Sequence, residues 1–130
     1  MTHPVVALQS ALVATLKADA GLIGVGVFDA PVRGAVAPYL VIARHDLLPR
    51  DGDLAPGFEH RVAVHCWAAD PSRKAALALA ERVVAVAEGL TAAGVRVTHR
   101  AHERTDTAID LETGQARAAV GLRFYSEPNG

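Results

Sequence analysis

The chain has 130 residues and a mass of 13.6 kDa, the length of one ordinary domain, and residues 1–130 read as a single one. Apolar residues make up 51% of it, but 26 of them are alanines, so the remainder supply one core and no spare apolar stretch. Thirteen basic residues against fourteen acidic ones give a net charge of −1, which excludes a global field that would gather a polyanion.

Glu81, Arg82 and Glu88 interrupt the longest apolar tract, well short of the roughly 20 residues a membrane span needs, so no membrane partner is expected. The opening Met1-Thr2-His3-Pro4 lacks the basic region of a signal peptide. Cys66 is the single cysteine, which fits synthesis in a reducing intracellular compartment.

Residues 4 to 20 predict the first helix. Pro4 suits its first position, Thr2 or His3 its cap, and Leu8, Leu12 and Leu16 form one apolar stripe. Gly21 reads as the stop, tolerant of positive φ. Val25 to Asp29 predicts a short strand, and Pro31, Gly34 and Pro38 a connection. Tyr39 to His45 predicts a second strand, followed by a loop from Leu47 to Gly57 that carries the apolar Leu47, Leu48 and Leu54. Phe58 to Trp67 predicts a third strand, with Val62, Val64 and Cys66 on one face and Glu59, Arg61, Ala63, His65 and Trp67 on the other.

Asp70-Pro71-Ser72 predicts a helix start capped by Asp70, and the helix runs to about Glu88 with a wide apolar surface. Val95 to Ile109 predicts a strand bent near Glu103. Asp110 to Gly114 is a hairpin connection with Gly114 placed for positive φ, leading into a last strand from Gln115 to Ser126. The order αβββαββ, with strands joined mostly by hairpins, predicts an α+β fold: a mostly antiparallel or mixed sheet with two helices packed on it.

Signals for chemistry are weak. His60 and His65 lie five apart on one strand and His99 and His102 three apart on another, so neither pair converges on a metal, and solvated or surface hydrogen-bonded histidines are expected. Cys66 shares a face with Val62 and Val64, as a small hydrophobe rather than a nucleophile. No Gly-x-Ser-x-Gly elbow exists, and Gly21, Gly24 and Gly26 lack the spacing of a phosphate loop. The pairs Asp51/Asp53 and Asp106/Asp110 have too few partners for a calcium loop. Arg96, Arg100, His102 and Arg104 are expected on one side of their strand, as an exposed face or a subunit contact. No catalytic, cofactor-binding or metal residues are assigned, and no enzyme is expected. The remaining alternative is a small cytosolic enzyme or ligand-binding domain with a site assembled from distant residues such as His45, His65 and Arg123.

The whole pattern is similar to the tail-terminator, or tail-completion, family of long-tailed phages and gene transfer agents. Residues Pro4 to Leu12 with Leu16-Lys17-Ala18-Asp19 resemble that family's first helix. Phe28-Asp29-Ala30-Pro31 and Ala37 to Ile42 resemble its next landmarks. Phe58-Glu59-His60, Trp67 and Ser72 to Ala76 match the strand leading into the second helix, and Asp110, Thr113-Gly114 and Leu122-Arg123-Phe124 the closing hairpin. The resemblance implies a ring, usually a hexamer, that caps the tail tube, ends its polymerisation and meets the head connector, with DNA passing through the lumen without specific binding. An adaptor at the head–tail joint is the nearest alternative. Short strands and an exposed hairpin provide edges for subunit addition. On this reading the candidate partner or subunit surface comprises Leu47, Leu48, Arg50, Asp51, Asp53 and Leu54 of the loop, with Asp110, Glu112 and Thr113 of the hairpin.

Overall fold

A computed structural model of the chain describes residues 3–50 and 56–128. Helix α1 spans Pro4–Ala18, strand β1 Gly26–Phe28, β2 Tyr39–Pro49, β3 Phe58–Trp67, helix α2 Arg73–Glu88, β4 Val95–Ile109 and β5 Ala116–Pro128. One five-stranded sheet runs in the order β1-β2-β3-β5-β4. β1 pairs with β2 in parallel and every other pairing is antiparallel. The fold is α+β, as the order of elements predicts.

α1 starts where Pro4 and the His3 side chain direct it: His3 Nδ1 accepts from the Val5 amide at 3.1 Å. Its stripe of Leu8, Leu12 and Leu16 is fully buried. Gly21 is not the left-handed stop expected of it. The helix ends at Asp19 and a single 3-10 turn, Ala20–Leu22, follows; Gly24 carries the positive φ, 81°. A Cβ at Gly21 would stand 2.7 Å from Arg82 Nε, so a larger residue there would displace that guanidinium. Arg82 grips Asp19 with two hydrogen bonds, 2.9 and 2.7 Å, tying α2 to the end of α1. That guanidinium holds the Asp19 carboxyl below the usual carboxylate range.

α2 begins two residues later than the Asp-Pro signal suggests. Ser72 is the cap and accepts from the Ala75 amide at 3.1 Å. Residues 68 to 70 are still laid along β5: Ala68 donates to the Ala116 carbonyl and Ala116 donates to that of Asp70. Both helices cover one face of the sheet, where Leu8, Leu12 and Leu16 join Ala76, Ala80, Val83 and Ala87 in one cluster with the inward residues of the strands. The alternation on β5 is complete, with Ala116, Ala118, Val120, Leu122 and Phe124 all buried.

Bulges decide which side chains reach that face. Ala43 is skipped in the β2–β3 register, so Leu40 and Ile42 face the core before it and His45 and Leu47 after it. On β4 the register skips Thr98 and Glu103. The second is the bend expected near Glu103. Together they split the basic cluster: Arg100 and His102 pair with Phe124 and Leu122 on the helix-covered face, while Arg96 and Arg104 pair with Glu127 and Gly121 on the open one. The expectation that all four share a side fails, because each extra residue inverts the alternation.

Candidate functional site

Leu47 and Leu48 do not lie in a loop. They belong to β2, paired with His60 and Glu59, and so point to opposite faces of the sheet, both half-buried. The ladder continues one step further, where the Arg50 amide donates to the Gly57 carbonyl at 2.7 Å. Gly57 is required here, since a Cβ would meet the Arg50 carbonyl oxygen at 2.8 Å. The Arg50 guanidinium lies 3.9 Å from the centre of the Tyr125 ring, against which His99 also stacks at 4.6 Å. Asp51, Asp53 and Leu54 fall outside the described residues.

Asp110, Glu112 and Thr113 form the turn between β4 and β5. Asp110 donates its amide to the Gln115 carbonyl at 2.9 Å and accepts from the Gly114 amide at 2.8 Å. Its Oδ1 accepts from the Glu112 amide at 2.9 Å, and Gly114 has the expected positive φ of 72°. Leu111 projects from this turn with 98% of its surface exposed. It escapes sequence reasoning focused on polar turn residues, although an apolar residue in the middle of a polar turn is itself a signal.

The sheet register places Arg50 and Gly57 at one end of the sheet and the turn at Asp110, Glu112 and Thr113 at the other. Phe58, which follows Gly57, pairs with Ser126, whereas the hairpin closes at Ile109 and Ala116. At about 3.3 Å per residue, the strand between those pairings separates them by roughly 30 Å. No single small partner contacts both.

The histidines correct a sequence expectation. His60 is not a surface residue: it is 0% exposed. Its Nδ1 meets His45 Nε2 at 2.8 Å and its Nε2 meets the Ser126 hydroxyl at 2.7 Å. The Ala43 bulge brings His45 to this face, and its Nδ1 is buried without a partner. Burial pushes both imidazoles down to about 4, so both are neutral at pH 7, with Asp46 opposing the shift at His45.

His45, His65 and Arg123 do not converge. His45 lies on the helix-covered face, while His65 pairs with Val41 on the open face. Arg123, also on the open face, has its Nε 3.9 Å from Glu103. Cys66 is buried and its thiol is pushed up to about 12, which removes it as a nucleophile. Among the described residues no group of three or more His, Cys, Asp or Glu side chains is placed to hold a metal ion, and no helix is long and apolar enough to cross a membrane.

The open face is built differently. Phe28, Tyr39 and Trp67 pack ring on ring at its β1 end, with centres 6.0 and 6.4 Å apart. Across the rest, arginines alternate with carboxylates: Arg44 with Asp46, Arg61 with Glu59, Arg96 with Glu127, and Arg104 and Arg117 with Asp106. The open face is thus a broad surface of exposed, charge-balanced side chains.

Comparison with known proteins gives the class of the molecule. Residues 10–127 match the family described as tail completion protein gp17, and the chain belongs to that family. It is a structural protein of a phage or phage-like tail and not an enzyme. A chain in the virion of a native gene transfer agent particle shares the fold, with a TM-score of 0.81 and 22% identity, over 97% of this chain and 99% of that one. No curated protein matches the sequence.

Proposed function

We propose that copies of this chain close into a ring on the head-proximal end of a tail tube, end the tube's polymerisation and present a second surface to the head connector. Six copies is the number that the resemblance to tail terminators implies. The observation that carries this reading is the two-ended layout: the segment around Arg50 and the turn at Asp110, Glu112 and Thr113 stand at opposite ends of the same sheet. A chain that holds a neighbouring copy of itself and also meets a different partner needs two such separate ends. A repeated heterologous contact closes a ring when its rotation divides the circle.

The lumen passes DNA without holding it. A net charge of −1 supplies no overall attraction, and the open-face arginines Arg44, Arg61, Arg96, Arg104, Arg117 and Arg123 each have a carboxylate within 4 Å.

Native mass measurement on the purified chain, alone and mixed with tube protein, tests the proposal. The expected outcome is a hexameric mass and tubes that stop growing when the chain is added. A strict monomer that never associates with tube ends overturns it.

A further inference from the structure

The ring reading leaves open which surfaces of neighbouring copies touch, and two features of the molecule answer each other. The first is Leu111, the most exposed large apolar side chain among the described residues. It is not on a slack segment. The hydrogen bonds of Asp110 hold the turn on which it stands, so little conformational freedom remains to be lost on docking.

The second feature is an open groove of about 300 Å³ between α2 and β4. Leu77, Ala80, Glu81 and Val84 of α2 face His102 and Thr105 of β4 across it. Those helix positions follow the spacing of one stripe, and Leu77 is 39% exposed. His102 Nε2 and the Thr105 hydroxyl already satisfy each other at 2.7 Å, so what the groove offers an occupant is mainly apolar.

We propose that Leu111 of one copy docks into the α2–β4 groove of the next copy around the ring. This rests on the ring reading and adds the contact that builds it. Leu111 cannot fill its own groove: Thr105 lies four residues, about 13 Å at strand rise, before the end of β4 at Ile109, and Leu111 stands beyond that in the turn. The occupant is therefore another molecule.

Charge selects a second copy as that molecule. Asp110 and Glu112 flank Leu111, and neither is in an ion pair among the described residues. Arg73 and Lys74 are exposed one helical turn before Leu77 on the same side of α2, and they too lack an acidic partner there. An acidic tip with an apolar point meets an apolar groove with a basic entrance. Glu81, one turn beyond Leu77, repels the tip's carboxylates and sets the direction in which the tip enters.

The test uses the full chain. Leu111→Asp weakens self-association about tenfold to a hundredfold, read by sedimentation across a concentration series, with an unchanged circular-dichroism spectrum and melting temperature. Glu112→Lys and Lys74→Glu each weaken association, and the double variant recovers it. A chain carrying Leu77→Cys and Leu111→Cys gives a ladder of disulfide-linked multimers on mild oxidation, with buried Cys66 taking no part. Undiminished assembly of Leu111→Asp together with no ladder overturns the docking and leaves the ring standing. A wild-type chain that is monomeric alone and on tube ends overturns both.

Discussion

The two faces of the sheet divide the work of the molecule. The helix-covered face is built from small and branched apolar side chains, Ala116, Ala118, Val120, Leu122 and Phe124 on β5 against Val62, Val64 and Cys66 on β3. The open face carries arginine–carboxylate pairs whose side chains stay substantially exposed, with an aromatic cluster at one end. Burial makes the first face the source of stability, because its residues leave water and interlock. Exposed ion pairs add little, typically no more than about 1 kcal/mol each. The same strands thus supply a rigid core and a surface whose residues are replaceable without unfolding. The faces differ in one further respect: the covered face holds a polar defect, the His45–His60–Ser126 chain.

That contrast is open to direct attack. Phe124→Ala removes the largest fully buried side chain and is expected to cost about 3–5 kcal/mol, read from urea denaturation midpoints. Acid strikes the polar defect next. With folded values near 4 against an ordinary 6.5, His45 and His60 bind fewer protons folded than unfolded between those limits. Their contribution is complete above pH 6.5 and is lost as pH falls toward 4, on the order of 3 kcal/mol for the fully buried His60. Denaturation at pH 7 and pH 4.5 measures this, and an unchanged midpoint contradicts the neutral buried pair. Asp19, held low by Arg82, releases its share only in more acid solution, so the two windows separate. The smallest effect belongs to the open face, where Arg96→Ala changes stability by less than about 1 kcal/mol. A larger loss there erases the distinction between the faces.

Elements whose signals are local were readable from sequence. β3 occupies Phe58–Trp67 as its alternation predicts, and the bend at Glu103 and the positive φ at Gly114 stand where expected. The features that escaped depend on tertiary partners. Asp70-Pro71 looks like a cap, yet Ala116 claims the Asp70 carbonyl and the helix waits for Ser72. Nothing around Ala43 or Thr98 announces an extra residue, and each inverts the facing of the residues after it, hiding His45 and dividing Arg100 from Arg96. Of the candidate contact residues, the hairpin was recognisable from its turn chemistry. Leu47 and Leu48 read as loop because proline and glycine just beyond them mask a strand whose partner, β3, lies across the turn.

The bulges on β4 carry a last consequence. β4 is one rim of the sheet, and a long flat rim is a template on which strand after strand can be laid down without end. Thr98 and Glu103 cut it into short runs of paired residues, the longest being Arg104 to Ile109. The opposite rim, β1, is only three residues long. Neither β4 nor β1 offers a long unbroken row of backbone groups on which fibrous growth could be templated.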